Sequence, residues 1–205
     1  MLSARLEGWN LATFAAINAD ANSPQGLLVL ARAVAESAPF VAALMVVLLW
    51  VRKGPEVRLR LLDATVTAGI GLCVAQVIAR LWYHPRPFEL GLGHQYLAHV
   101  PEASFPSDHA TLLFGLALPL LAAVATREWG LVFLMLALVT AWARIYLGVH
   151  FPLDMLGGLG IAIAVWGLVA ALRGPLHGRL YPAALGLYDW GLRKLRLPKA
   201  LFPRR

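Results

Sequence analysis

The chain reads as an all-α protein, an integral membrane helical bundle of about five transmembrane helices with amphipathic interfacial helices at its N- and C-termini. Three observations predict this. Of 205 residues, 60% are hydrophobic and only 14% charged, outside the range of ordinary soluble domains. Five apolar runs approach the roughly 20 residues that a helix needs to cross about 30 Å of hydrocarbon. The basic residues cluster between and after those runs, so the net charge of +7 reports topology and not a nucleic-acid-binding face.

Taken in order, residues 1–23 form the first element. Arg5 is followed by Glu7, Asn10, Asn18 and Asp20, and the short apolar stretch Leu11 to Ile17 has no small-residue cleavage site, so a cleaved signal peptide is not expected. Leu2, Leu6, Trp9 and Thr13 recur at helical spacing, which predicts a helix lying in the membrane interface. Residues 24–172 form the transmembrane core, with spans expected at about 27–51, 61–80, 109–126, 129–148 and 154–172. The first span holds Arg32 and Glu36 four apart, which predicts an ion pair; the alternative is that Glu36 orients an arginine of the site. The third contains Pro119, and the last carries Gly157, Gly158 and Gly160, a composition suited to close helix packing in lipid. The lone Cys73 lies in an apolar run and has no partner for an intramolecular disulfide. Residues 173–205 form a basic amphipathic tail in which Leu180, Leu185, Leu187, Trp190 and Leu195 alternate with Arg193, Lys194 and Arg196, a pattern that binds anionic headgroups. No repeat or low-complexity linker divides the chain, so 1–205 is read as a single domain.

Orientation follows from the lysines and arginines in the short flanks, which are retained on the cytoplasmic side. Arg52, Lys53, Arg58 and Arg60 join spans one and two, and Arg173, Arg179, Arg193, Lys194, Arg196, Lys199, Arg204 and Arg205 follow the last span. Both groups belong inside. The segment at about 81–108 and the turn at 149–153 are then outside.

Three polar clusters fall at those outer ends: Arg80 to Phe88 (RLWYHPRPF), Phe105 to His109 (FPSDH) and Arg144 to Asp154 (RIYLGVHFPLD). Antiparallel spans bring them together at one membrane surface, where arginines, histidines and a carboxylate suit an anion undergoing nucleophilic and acid–base chemistry. Arg86 and Arg144 offer planar forks for phosphate oxygens. Ser107 precedes the start of span three, where free backbone N–H groups and the positive end of the helix dipole favour an anion, to which it offers its hydroxyl and its amide. Asp154, four residues beyond His150, can hold one imidazole nitrogen and leave the other free to attack phosphorus. His109 suits a general acid that protonates the departing oxygen and then a base for water. The histidines His84, His94 and His99 have no spacing that presents metal ligands on one face, so no metal is expected.

These clusters resemble the signature of the type 2 phosphatidic acid phosphatase superfamily, KxxxxxxRP, PSGH and SRxxxxxHxxxD, over about residues 60 to 172. The resemblance implies a metal-free membrane phosphatase with no cofactor, in which His150 is the nucleophile, Asp154 its partner and His109 the general acid. It places Arg86, Ser107 and Arg144 on the phosphate, with Arg80 as an imperfect substitute for the motif lysine, whose position is Ala79. Ala143 and Asp108 also depart from the pattern. The HPRPF, SFPSDHA and ARIYLGVHFPLD forms resemble the bacitracin-resistance branch of undecaprenyl-diphosphate phosphatases. That branch implies a polyprenyl diphosphate substrate, a role in lipid-carrier recycling for cell-wall synthesis, and a bacterial cytoplasmic membrane with the site facing outward. The alternatives are a phosphatase for phosphatidylglycerophosphate, phosphatidate or lipid A with the same catalytic residues, or a lipid transporter.

Overall fold

The computed structural model describes residues 2–195 of the chain; Arg196, Lys199, Arg204 and Arg205, invoked above for orientation, lie outside the described residues. Helices are the regular structure of the described residues, which contain no strand: α1 (Leu2–Ile17), α2 (Gln25–Arg52), α3 (Pro55–Leu81), α4 (Asp108–Leu121), α5 (Arg127–Tyr146), α6 (Pro152–Ala171) and α7 (Arg173–Lys194), with two short 3-10 turns at Pro87–Leu90 and Val124–Thr126. The molecule is a multi-pass membrane protein: α2, α3, α5 with its preceding turn, and α6 are long and apolar enough to cross a bilayer.

Prolines at or near the starts of helices set the boundaries. Pro55 follows the break at Lys53 and Gly54, and Pro152 opens α6; a residue without an N–H is best accommodated in the first turn, where that donor has no partner within the helix. The third span is shorter than expected. It ends at Leu121 instead of 126, because the Thr126 hydroxyl donates to the Leu120 carbonyl at 2.7 Å and satisfies one of the free acceptors of the helix end. At 1.5 Å per residue its 14 residues span only about 21 Å. The shortness is tolerated because α4 is the centre of the bundle, packed on α3, α5 and α6 with Leu113, Ala117 and Leu120 fully buried. Irregular backbone at membrane depth is admissible only where protein covers it.

Small residues let the helices approach. A Cβ on Gly158 of α6 would lie 2.8 Å from the Thr111 amide nitrogen and 2.9 Å from the Ser107 carbonyl oxygen, so glycine there permits the start of α4 to sit against α6. The N-terminal helix docks at the same end of the bundle. Leu6 and Trp9 face outward, while Phe14 packs edge-on to Phe151 and the Asn10 side-chain oxygen accepts from the Leu153 N–H at 3.0 Å, capping a free donor of α6. The expected Arg32–Glu36 ion pair does not form. Arg32 instead donates to the Tyr96 carbonyl at 2.6 Å, since its side chain is drawn toward the loop rather than along its own helix, and Glu36 is exposed.

At the opposite end, the buried Asp63 of α3 accepts from Arg173 Nε at 3.1 Å, from His177 Nε2 at 2.8 Å and from Arg60 at 3.3 Å, tying α7 back to the bundle. Removing one partner of a buried charge cluster leaves the others uncompensated. Asp63→Ala is therefore expected to destabilise the protein by about 2 kcal/mol, discounted because the three donor side chains are partly exposed. The measurement is the thermal midpoint in detergent, together with protease access to α7; an unchanged midpoint would remove Asp63 as the anchor.

Candidate active site

The site forms where the ends of α3, α4, α5 and α6 meet. Arg144 sits in the last turn of α5, and the chain then turns through Gly148, whose φ of 76° is left-handed and whose missing Cβ makes room for the His94 carbonyl. The Val149 N–H returns to the Arg144 carbonyl at 3.1 Å, and this tight turn folds His150 back under Arg144. Pro152 starts α6, and Asp154 at its third position accepts from the Phe151 N–H at 2.7 Å, the reach-back half of a capping box. Arg86 comes from the segment joining α3 to α4, where its own N–H is held by Glu89 at 2.8 Å.

These side chains converge on one ring. His150 is 2% exposed, and its Nε2 lies 3.1 Å from Arg86 Nη1 and 3.2 Å from Arg144 Nη2, while its Nδ1 lies 3.1 Å from Asp154 Oδ2. Guanidinium groups only donate, so Nε2 is the accepting nitrogen and the proton resides on Nδ1, facing the carboxylate. Burial, followed by the charges of Arg144 and Arg86, pushes the His150 imidazole well below the ordinary histidine range. The ring is neutral, with its free lone pair aimed at two cations. Both guanidinium groups keep a buried Nε without a partner, and Arg86 also reaches the exposed Glu102 carboxylate at 3.2 Å. Two buried forks around an uncharged nitrogen with a free lone pair suit a tetrahedral oxyanion.

His109, in the first turn of α4, lies with Nε2 3.3 Å from Arg144 Nη1, and the Ala35 carbonyl of α2 hydrogen-bonds its ring. Arg144 thus spans both histidines.

Residues 60–176 match the model of the PAP2 superfamily. The chain belongs to the PAP2 superfamily. It is 39% identical over 155 residues to YbjG of Escherichia coli K12, a protein that carries the name undecaprenyl-diphosphatase provisionally, covering 75% of this chain and 77% of that one. It is 33% identical over 123 residues to the undecaprenyl-diphosphatase BcrC of Bacillus subtilis, covering 60% of this chain and 63% of that one. The fold is similar to the crystal structure of LpxE from Aquifex aeolicus, with a TM-score of 0.67 at 22% identity, over 80% of this chain and 95% of that one. The molecule is an enzyme, a lipid phosphatase of the PAP2 superfamily.

Within this PAP2 core the expected residues divide into two groups. Arg86, His109, Arg144, His150 and Asp154 form one connected cluster. Ser107 is adjacent but differently engaged: its amide donates to the Asp154 carbonyl at 3.1 Å, and its hydroxyl caps α4 by accepting from the Ala110 N–H. The amide expected to face phosphate is therefore occupied, because α6 packs directly on the start of α4. Arg80 stands apart from the ring of donors. It lines a neighbouring cavity of about 400 Å³ with Gln76, Tyr83, Glu102 and Asp108. Ala79, at the position of the motif lysine, lines the same cavity. Asp108, the residue in place of the motif glycine, accepts from Gln76 at 2.7 Å on that side wall. Sequence reasoning missed Ser104, which is fully buried with its hydroxyl 2.5 Å from Asp154 Oδ2 and 3.3 Å from His150 Nδ1. The available signal was its place as the first residue of the SFPSDHA form. Among the described residues no cluster of three or more metal-ligating side chains occurs.

Proposed function

We propose that this PAP2 protein removes the terminal phosphate of a polyprenyl diphosphate, of the undecaprenyl class, through a phosphohistidine on His150 at the outer face of the bacterial cytoplasmic membrane. The observation that carries the reading is the neutral His150 Nε2 held 3.1 and 3.2 Å from two buried guanidinium groups. In the first step the Nε2 lone pair forms a bond to phosphorus. The bond from phosphorus to the bridging oxygen breaks, and the departing lipid monophosphate takes a proton from His109. A phosphate engaging Arg144 takes over the donor that now points at His109 Nε2, freeing that nitrogen to carry the proton. Asp154 balances the positive charge that appears on the imidazole. In the second step His109 accepts a proton from water, the oxygen attacks phosphorus, and the P–N bond breaks to release inorganic phosphate. Arg86 and Arg144 hold the equatorial oxygens throughout, the largest contribution available in phosphoryl transfer.

The lipid identity is supported by the activity named for the Bacillus subtilis relative. The outward orientation is supported by Arg52, Lys53, Arg58 and Arg60 at the end of the bundle remote from the site. A phosphate-release panel on purified protein in detergent, with polyprenyl diphosphate, phosphatidate, phosphatidylglycerophosphate and lipid A, tests the substrate. Polyprenyl diphosphate is expected to turn over fastest; faster release from phosphatidate would overturn the assignment. Release in detergent, where no gradient exists, also separates an enzyme from a transporter.

A further inference from the structure

We infer that Ser104 is a positioning residue for the His150–Asp154 pair, an inference that rests on the covalent route proposed above. Asp154 Oδ2 receives three donors: the Phe151 N–H at 2.7 Å, the Ser104 hydroxyl at 2.5 Å and the His150 Nδ1–H at 3.1 Å. Its other oxygen, Oδ1, is buried and has no partner. A carboxylate free to rotate would share its donors between its two oxygens. This one is locked with Oδ2 forward, and among the described residues Ser104 is the side chain that locks it without taking part in the transfer.

Proton counting assigns the roles. The ionised carboxylate has nothing to donate, so the Ser104 proton points at Asp154. The Ser104 lone pairs then face His150 Nδ1 at 3.3 Å, and the Nδ1–H is shared between Oδ2 and the serine oxygen. Ser104 itself is fixed from outside the catalytic helices, with its backbone N–H bonded to the His84 carbonyl at 2.7 Å. The segment that carries Arg86 to the phosphate thereby also holds the carboxylate behind the nucleophile. Attack on phosphorus makes the imidazole cationic, and the Nδ1–H must keep one acceptor in its plane while Nε2 bonds to phosphorus. Ser104 maintains that alignment, so its hydroxyl acts on the transfer step and not on substrate binding.

The test is steady-state kinetics of Ser104→Ala and Ser104→Cys in the full-length protein with polyprenyl diphosphate, alone and in an Asp154→Asn background. Both variants are expected to lower kcat about ten- to a hundredfold with KM unchanged, the effect of one hydrogen bond to a charged group. Cysteine nearly matches serine in size but donates weakly, so a merely space-filling role predicts wild-type kcat for Ser104→Cys. In Asp154→Asn the serine substitutions are expected to have little further effect, because the group they position is already impaired. Wild-type kcat in Ser104→Cys, or full additivity with Asp154→Asn, would overturn the proposal. If Ser104→Ala does not fold, Ser104→Cys decides alone. A His150→Ala control that retains full turnover would instead reject the covalent reading itself and leave a different signature from failure at Ser104.

Discussion

His150→Ala is expected to abolish phosphate release, lowering kcat by about 10⁴-fold or more, as loss of a nucleophile does in other covalent systems. The physical reason is that no neighbour can replace it. Asp154 is turned toward Nδ1, His109 faces Arg144, and Ser104 is directed at the carboxylate. Radiolabelled substrate followed by an alkaline quench, which preserves phosphohistidine, should label the wild-type chain and not the variant; full turnover in His150→Ala would reject the covalent route. The same residue sets a pH expectation. Its proton affinity is depressed in the fold by burial and by Arg144 and Arg86, which favours the neutral imidazole that the proposed attack requires. The acid limb of activity due to His150 should fall well below the ordinary value of about 6.5. For stability the sign is the usual one for a depressed histidine: the unfolded chain binds the proton more readily, so this group destabilises the fold as pH drops below about 6.5.

Arg144→Ala is expected to give the second largest loss, about 10²- to 10³-fold in kcat, the range for removing a preorganised donor to developing charge. Arg144 is the more sensitive of the two arginines because its fork spans both histidines, with Nη2 3.2 Å from His150 and Nη1 3.3 Å from His109. A lysine offers one point charge and cannot reach both sites. Arg144→Lys should therefore recover little of the lost kcat, and wild-type kcat in that variant would show that charge alone suffices. Arg86 differs in donating also to the Val149 carbonyl and to Glu102, so its loss combines catalytic and local structural effects.

Much of the bundle was legible because hydropathy is a one-dimensional property. Apolar runs, the prolines that start helices and the basic flanks are local, and α2, α3, α5 and α6 follow them closely. The cluster at the candidate site was legible for a related reason: antiparallel spans carry polar helix ends to a common surface, which brings Arg86, His109, Arg144, His150 and Asp154 near one another. Family resemblance then narrowed what each was expected to do. Where reasoning from spacing failed, a contact between distant segments had intervened. Spacing pairs Arg32 with Glu36 one turn away, whereas in the fold Arg32 bonds to the carbonyl of Tyr96. The Ser107 amide, free in a helix start viewed alone, is taken by Asp154 because Gly158 lets α6 come close.

By itself the sequence determined the helical membrane architecture, most of the residues that gather at the candidate site and the spacing of His150 to Asp154, all properties of runs, flanks and short intervals. Only the tertiary structure decided which imidazole nitrogen is free, that Arg80 belongs to a side cavity and not to the ring of donors, and that Ser104 stands behind the carboxylate. The physical reason is that hydrogen-bond direction and rotational phase on a helix are set by what packs on each face, and those partners lie tens of residues away along the chain.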